Sequence, residues 1–165
     1  MVIAHPYHLG DTLFVFPLAA LIKRRWPTAK VHLAGRPYVR PLVEACEHID
    51  SFIDSDALLQ EPDLFGRLDT DILLNPFPDR ALARAGLQAR VPIRVGNLRR
   101  LKIAHCFNRF VYYSHRRSRA HMIDLNLRNL RPLGIDPAIA HSALHSLFGL
   151  TRLAPLSAAH QALLR

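Results

Sequence analysis

The sequence is poor in cysteine, glycine and long apolar runs. Its 165 residues include only two cysteines, Cys46 and Cys106, so neither a disulfide framework nor a cysteine zinc site is expected, and both thiols should be reduced. The seven glycines form no GxGxxG or GxxxxGK[ST] pattern, which excludes the usual phosphate-binding loops. No stretch approaches the ~20 apolar residues of a membrane-spanning helix.

Secretory and metal-binding signals are also lacking. Asp11 interrupts the N-terminal apolar run and no basic region precedes that run, so we expect a cytoplasmic protein rather than a secreted one. Ten histidines are present, but none form HExxH or another metal-ligand spacing. We expect His141, His145 and His160, near the end of the chain, to be solvated, and we predict no metal site.

Acidic residues are scarce in the second half of the chain, where most of the positive charge lies. The 22 lysines and arginines outnumber 13 acids, which gives a net charge of +9, and 19 of the cations are arginine. Residues 44–79 hold ten acids and one base, whereas residues 80–131 hold thirteen bases and one acid. The positive electrostatic field of residues 80–131 favours an anionic partner: nucleic acid, a phospholipid surface or a phosphorylated small molecule.

Short apolar runs alternate with helical patterns, which predicts a parallel α/β sheet with helices on both faces. The predicted strands are residues 1–4, 30–34, 49–53, 71–74 and 91–95. The predicted helices are residues 12–26, 37–47, 55–68 with an interruption at Pro62, 79–86, and 121–133 with Gly134 as C-cap. Residues 97–120 follow no dominant period, and residues 136–165 are predicted to be a linker and a short helix.

The loop after the first predicted strand, residues 5–11, is the first candidate site, because ligands of such sheets bind at the carboxyl ends of the strands. Gly10 permits close backbone approach or a positive φ, and Asp11 stands at the start of the following helix. On spacing alone, the simpler interpretation of Asp11 is a helix N-cap that contributes ~1 kcal/mol to stability.

Four segments, in this order, resemble one enzyme family. They are HLGDTLFVFPLAALIKRRWPTAKVHLAGRPYVRPLVE from residue 8, DILLNPFPDRALARAG from residue 71, VPIRVGN from residue 91 and HMIDLNLRNLRPLGI from residue 121. Together they resemble the ADP-heptose:lipopolysaccharide heptosyltransferases, glycosyltransferase family 9, over nearly all of residues 1–153. The LGD motif alone is weakly specific, but the ordered set is hard to obtain by chance.

The resemblance implies the N-terminal half of an inverting GT-B glycosyltransferase that needs no cofactor or bound metal. Residues 1–135 would form the Rossmann-like, acceptor-side domain, and residues 136–165 would lead toward a C-terminal domain that this sequence lacks. The donor, an ADP-sugar, would bind mainly to that missing domain, so the isolated chain is expected to be inactive. The implied acceptor is lipid A with core oligosaccharide, and the implied location is peripheral, at the cytoplasmic face of the inner membrane.

Site residues follow from the resemblance position by position. Asp11 aligns with the LGD aspartate, which acts as the general base toward an acceptor hydroxyl. The resemblance and the loop positions together nominate five acceptor-binding candidates: His8, Gly10, Arg36, Arg80 and His121. For His8 the alternative is a loop residue packed on Tyr7, for His121 an ordinary residue at the start of a helix, and for the two arginines plain surface positions.

The sequence departs from the family pattern at several places. The first strand is short, His5-Pro6-Tyr7 replaces a more usual apolar-basic-small approach, and Met122 stands where many relatives have Glu. Each of these changes affects the expected acceptor pocket.

Residues 99–119 interleave cations with aromatic residues, and three interpretations stay open. The cations are Arg99, Arg100, Lys102, Arg109, Arg116, Arg117 and Arg119, and the aromatic residues are Phe107, Phe110, Tyr112 and Tyr113. The segment could be a non-catalytic binding module for nucleic acid or anionic lipid, with aromatic residues for stacking. It could also be core aromatics beside solvated arginines. The third interpretation fits the family best: the cations face an anionic acceptor and membrane surface, and no nucleic acid is bound.

Overall fold

Each predicted strand is present within one or two residues, and all belong to one sheet. The computed structural model describes residues 1–61, 63–99, 101–114, 117–153 and 155. Its strands are β1 (Val2–Ala4), β2 (His32–Gly35), β3 (Ser51–Asp54), β4 (Ile72–Leu74), β5 (Ile93–Asn97) and β6 (Arg109–Val111). They lie in the order β3-β2-β1-β4-β5-β6, and every neighbouring pair is parallel. The predicted Rossmann-like α/β fold is confirmed.

Helices connect these strands, and proline explains two differences from the prediction. Within the described ranges the α-helices are α1 (Leu9–Leu13), α2 (Phe16–Arg25), α3 (Arg40–Glu44), α4 (Ser55–Gln60), α5 (Leu64–Arg67), α6 (Arg80–Gln88) and α7 (Met122–Leu127). The helix predicted over 12–26 begins earlier and breaks before α2, because Pro17 has no N–H with which to continue α1. The helix predicted over 121–133 changes to a 3₁₀ helix at Arg128–Leu133, where Pro132 excludes a regular α-turn.

Three other short 3₁₀ helices complete the described secondary structure. They cover Pro37–Val39, Leu101–Cys106 and His141–Leu147. The first precedes α3, so the helix predicted over 37–47 is shorter and irregular at its start. Gly134 adopts a left-handed conformation with φ of 74°, which confirms the predicted C-cap.

The sheet is buried on both faces because its strands alternate side chains between two apolar layers. Ile3 packs into one layer with residues of α2 and α7, including Ile22 and Leu127. Val2 and Ala4 face the opposite layer, which Leu58 of α4, Phe65 of α5 and Leu82 of α6 fill. The helices therefore cover both faces and hold the strand ends, and the loops that follow them, in fixed positions.

The described part of residues 136–165 packs on the first of these layers. Leu147 is fully buried there, and Glu47 N–H donates to the carbonyl of Gly149 at 2.7 Å. The predicted domain boundary after residue 135 stays a prediction. The linker and short final helix are predicted for residues 136–165 as a whole, and residues 154 and 156–165 of this range lie outside the described residues.

Candidate functional site

The loops after β1 and β4 meet at the carboxyl edge of the sheet. β1 and β4 are neighbours, and the strand order reverses between them, since the chain runs outward through β2 and β3 on one side and β5 and β6 on the other. Ligands of open parallel sheets bind at such a switch point.

A pocket of about 270 Å³ lies at this point. We call it the carboxyl-edge pocket, and its lining residues are His5, Tyr7, His8, Asp11, Phe77, Met122 and Asn126. They come from the loop after β1, the first turn of α1, the loop after β4 and α7. Segments far apart in sequence therefore form one small cavity.

Asp11 provides the only carboxylate among the described residues that line this pocket. It lies in the first turn of α1, but the N-cap is His8, so the N-cap interpretation of Asp11 is wrong. The backbone N–H and the hydroxyl of Thr12 both donate to the carbonyl of His8, at 2.9 and 3.0 Å. Within the described part of the chain the Asp11 carboxylate accepts no hydrogen bond and forms no ion pair, so both of its oxygens are available to a ligand.

His5 is buried without a hydrogen-bond partner for its side chain. It is 3% exposed, and among the described residues neither Nδ1 nor Nε2 has a partner, although its backbone N–H donates to Ala34 at 2.8 Å. Burial lowers the pKa of His5 from 6.5 to about 4, so the ring is neutral at physiological pH. A neutral imidazole offers one donor and one acceptor, and here both belong to a ring that lines the pocket.

Asn126 is the second buried polar group of the pocket. Its Nδ2 donates to the carbonyl of Phe14 at 3.2 Å, which fixes the orientation of the amide, and its Oδ1 has no partner within the described chain. Asn126 is 2% exposed. The pocket therefore contains buried hydrogen-bonding atoms that the protein itself does not satisfy.

A buried network fixes the walls around these two residues. Tyr113 donates from its hydroxyl to the carbonyl of Pro76 at 2.6 Å and accepts from Nδ2 of Asn129 at 3.0 Å. Asn129 also donates to the carbonyl of Asn126 at 2.8 Å, and Asn97 donates to the carbonyl of Tyr113 at 2.9 Å. Burial raises the pKa of Tyr113 to about 12, so its hydroxyl stays a donor. The loop after β4 and the 3₁₀ helix that continues α7 are thereby tied together.

Aromatic rings form the apolar wall of the pocket. Tyr7 and Phe77 meet edge to face with ring centres 4.6 Å apart, and His5 lies 5.3 Å from Tyr7. The hydroxyl of Tyr38, in the 3₁₀ helix after β2, donates to the carbonyl of Tyr7 at 3.1 Å. The loop after β1 is thus held from two sides.

The structure brings some of the predicted site residues together and leaves others apart. His8 and Asp11 line the pocket. Gly10 has no positive φ, contrary to one of its two sequence interpretations, and a Cβ there would meet no heavy atom of the described chain within 4 Å. Only close approach by a ligand would then require glycine at this position.

His121, Arg36 and Arg80 do not line the carboxyl-edge pocket. His121 is the N-cap of α7, accepting at Nδ1 from Ile123 N–H at 3.2 Å, and it lies beside the lining residue Met122. Arg36 is exposed after β2, and Arg80 begins α6. Their roles as acceptor contacts stay predictions.

His5, Tyr7, Phe77, Met122 and Asn126 line the pocket although they were not nominated as site residues. His5, Tyr7 and Met122 carry one sequence signal, since they are the positions that depart from the family pattern. Phe77 and Asn126 carry no signal of that kind.

Arg80 lines a second hollow beside the pocket. This cationic hollow, of about 400 Å³, is formed by Pro78, Arg80, Arg99, Leu101, Lys102 and Ile103, which follow β4 and β5. Leu101 is 76% exposed and Tyr112, after β6, is 71% exposed, with the Arg99 guanidinium 5.9 Å from the centre of its ring. The cationic hollow and the carboxyl-edge pocket therefore open at the same edge of the sheet.

The aromatic residues of this segment divide into two groups. Phe107 and Tyr113 are buried, as the core interpretation expects, whereas Phe110 and Tyr112 are exposed. Arg100 and Arg116 lie outside the described residues.

A larger groove lies at the opposite, amino edge of the sheet. This amino-edge groove, of about 530 Å³, is lined by Met1, Trp26, Thr28, Ala29, Lys30, His32, Arg67, Leu68, Asp69, Asp71 and Ile72. Two polar groups that line it are paired: the Met1 amine donates to the carbonyl of Lys30, and His32 shares a hydrogen bond with Ser51. The buried hydroxyl of Thr70, between the lining residues Asp69 and Asp71, has no partner among the described residues.

Three further features concern metal, thiols and membrane. Within the described ranges no three His, Cys, Asp or Glu side chains come together in a way that could hold a metal ion. Cys46 and Cys106 are buried free thiols, and burial raises the pKa of each. Over the same ranges no helix has the length and apolar character needed to cross a bilayer.

Solved glycosyltransferases share this fold. No family model and no curated protein matches the sequence. The glycosyl transferase family 9 structure from Veillonella parvula is 19% identical, with a TM-score of 0.68, over 83% of this chain and 42% of that one. E. coli heptosyltransferase WaaC with ADP is 11% identical, with a TM-score of 0.69, over 84% of this chain and 49% of that one.

A second WaaC structure, with ADP-2-deoxy-2-fluoro heptose, gives a TM-score of 0.66 at 11% identity over 85% of this chain and 50% of that one. The chain thus spans about half the length of the solved structures that it matches. At these identities the likeness shows the fold. It confirms the Rossmann-like half that the sequence resemblance implies.

Proposed function

We propose that this chain is the acceptor-side half of an inverting GT-B glycosyltransferase. It transfers heptose or a similar sugar from an ADP-sugar to a lipopolysaccharide core acceptor. The observation that carries the proposal is the position of Asp11: an unpaired carboxylate in a pocket at the switch point of a fold shared with glycosyltransferases. The two similar WaaC structures are complexes with ADP and with ADP-2-deoxy-2-fluoro heptose, which supports the class of donor.

Asp11 acts as the general base in the proposed reaction. The acceptor hydroxyl attacks the anomeric carbon of the donor and forms the new glycosidic bond, while its proton passes to the Asp11 carboxylate. The bond between the anomeric carbon and the diphosphate breaks, and ADP leaves with the electron pair. Attack from the face opposite the leaving group inverts the anomeric centre. A carboxylate is a weak base, which suffices when the proton moves late, after the attacking oxygen has become acidic.

Replacing Asp11 with asparagine tests this assignment in a two-domain version, in which a donor-binding domain follows this chain. Asp11→Asn keeps the shape of the side chain and removes the proton acceptor, so we expect transfer, measured as ADP release, to fall by roughly 10²-fold or more with unchanged circular dichroism. Asp69→Asn is the matched control, because Asp69 lines the amino-edge groove and should leave transfer unchanged. Turnover retained in Asp11→Asn contradicts the assignment.

A second measurement compares the isolated 165 residues with the two-domain version. Equal turnover by the two proteins contradicts the proposed need for a donor-binding domain.

The cationic hollow is the proposed contact with an anionic membrane surface. Its three cations lie beside the exposed apolar side chains of Leu101 and Tyr112, and this combination favours an interface where phosphate groups lie above acyl chains. It opens at the same edge as Asp11, so a lipid-anchored acceptor bound there would reach the pocket. The proposed location is accordingly peripheral, at the cytoplasmic face of the inner membrane.

Vesicle co-sedimentation tests this contact. We expect the chain to sediment with vesicles that contain phosphatidylglycerol, to stay in solution with phosphatidylcholine alone, and to dissociate as salt is raised. Leu101→Ser and Lys102→Gln should each weaken binding severalfold, whereas their controls Leu59→Ser and Lys30→Gln, which lie outside the cationic hollow, should not. Binding to generic DNA without vesicle binding would instead support a nucleic-acid module.

A further inference from the structure

The carboxyl-edge pocket has the size and wall composition of a site for one small ring. Its volume of about 270 Å³ lies just below the ~300–1,000 Å³ typical of sites for drug-sized ligands. Tyr7, Phe77 and Met122 supply apolar surface, and the two aromatic rings are fixed edge to face. Such a wall packs against the C–H face of a sugar ring.

Two buried polar groups of the pocket require a partner that the protein does not supply. His5 and Asn126 are at least nine-tenths buried, and the unsatisfied atoms are both ring nitrogens of His5 and Oδ1 of Asn126. A buried polar group without a partner costs about 1–3 kcal/mol, so each such group in a folded protein needs an explanation. A neutral imidazole and an amide oxygen together offer one donor and two acceptors, which suits hydroxyl groups because each hydroxyl both donates and accepts.

The charges around the pocket exclude an acidic ring. Among its described lining residues there is no lysine or arginine, and the only carboxylate is that of Asp11. A carboxylate or phosphate on the bound ring would be buried beside Asp11 without a cation to compensate it. Arg80, Arg99 and Lys102 line the neighbouring cationic hollow instead. Anionic groups of a larger acceptor would therefore bind there and not in the pocket.

We propose that the carboxyl-edge pocket binds one uncharged, hydroxyl-bearing sugar ring of the acceptor, and that His5 and Asn126 select it through hydroxyls that do not react. This inference rests on the proposed function, in which Asp11 faces the reacting hydroxyl. The proposal implies that the acceptor sugar to which the new residue is attached is neutral, even where the rest of the acceptor is anionic.

Binding of simple glycosides to the 165-residue chain tests the proposal without a donor or a second domain. Saturation-transfer NMR should detect neutral methyl pyranosides, of hexose or heptose, and should not detect the methyl glycoside of a uronic acid or a sugar phosphate. His5→Leu and Asn126→Ala should each weaken binding about tenfold, the loss expected for one hydrogen bond to a buried group. Thr28→Ala, in the amino-edge groove, should bind as the wild type does.

Conservative replacement separates recognition from folding. His5→Gln keeps one donor and one acceptor, so it should recover part of the binding that His5→Leu loses, and circular dichroism should show every variant folded. Uronic-acid binding equal to that of neutral glycosides, or no neutral-glycoside binding at tens of millimolar, overturns the inference. Neither result bears on the Asp11→Asn experiment, so loss of transfer in that variant together with an acidic acceptor ring would retain the proposed function and reject the neutral ring.

Discussion

Two buried histidines lie at opposite edges of the sheet, and they differ in whether the protein supplies a hydrogen-bond partner for the ring. His5 follows β1 at the carboxyl edge and is 3% exposed, and His32 begins β2 at the amino edge and is 7% exposed. Burial lowers the pKa of both. Nδ1 of His32 lies 2.7 Å from the hydroxyl of Ser51, whereas neither ring nitrogen of His5 has a partner in the described chain. The fold therefore accounts for the burial of His32, whose ring is hydrogen-bonded within the protein, but it does not account for the burial of His5.

The two cavities that these histidines line differ in the same way. The amino-edge groove is the larger, about 530 Å³ against about 270 Å³, but none of its described lining residues has a buried polar side-chain atom without a partner. Near it, Asp50 accepts from the Val31 N–H and from the Lys23 ammonium, both at 2.6 Å. Cavity size is thus a poor guide to function here. Among the described residues that line the two cavities, only His5 and Asn126 of the carboxyl-edge pocket have buried polar atoms without a protein partner. We expect these two residues to lower the stability of the unliganded fold and to contribute to ligand binding.

The largest expected effect on stability comes from His5→Leu, which replaces the unpartnered ring with an apolar side chain of similar volume. We expect the free energy of unfolding to rise by about 1–3 kcal/mol at pH 7, because an unsatisfied buried group is removed. Burial lowers the pKa of His5 to about 4, so between pH 6.5 and 4 the imidazole is protonated in the unfolded wild type and neutral in the folded protein. Wild-type stability should therefore decline by roughly 3 kcal/mol between pH 6.5 and 4, and His5→Leu should lack that decline.

Urea unfolding across this pH range measures both effects, and His32→Leu is the matched control. His32→Leu removes the hydrogen bond to the exposed hydroxyl of Ser51 and relieves no unsatisfied group, so it should lower the free energy of unfolding modestly while leaving glycoside binding intact. A loss of stability in His5→Leu as large as that in His32→Leu would remove the distinction between the two edges.

The strands and the first half of the site could be predicted from sequence because their signals are local. Apolar runs bounded by turn residues place β1 to β5, and the segment after β1 contains His8 and Asp11 only three positions apart in the chain. Phe77 and Asn126 reach the same pocket only after β4 pairs with β1 and α7 packs on the sheet. No local pattern encodes that meeting, since it depends on pairing between segments some 70 residues or more apart.

The charge pattern predicted the sign of the surface but not which cations are available to a ligand. The Arg94 guanidinium donates to the backbone carbonyls of Cys106 and Val91, so it stabilises the β5 region. Arg99 and Lys102, only a few residues later, line the cationic hollow instead. The sequence analysis did not predict β6, because the strand is short and its alternation of exposed and buried residues covers very few positions. The exposed residues are Phe110 and Tyr112, and the buried ones are Val111 and Tyr113.

A smaller effect is expected at the amino edge from Asp50→Asn, which keeps one oxygen and loses the charge. Burial opposes ionisation of Asp50, but the hydrogen bonds from Lys23 and Val31 outweigh it, so the pKa of this carboxyl lies below its usual value. The ionised group therefore stabilises the fold above the ordinary carboxyl pKa of about 4, and this stabilisation disappears as pH falls through the lowered pKa. We expect Asp50→Asn to lower the free energy of unfolding by about 1 kcal/mol at pH 7, a modest value because the ion pair is partly exposed, and to converge with the wild type in acid. Asp69→Asn, at an exposed position, should match the wild type throughout. If the free energy of unfolding of Asp50→Asn stays below that of the wild type by the same amount down to pH 3, the ionised carboxylate is not the source of the stabilisation. Any loss of glycoside binding in this variant would contradict a purely structural role for the amino edge.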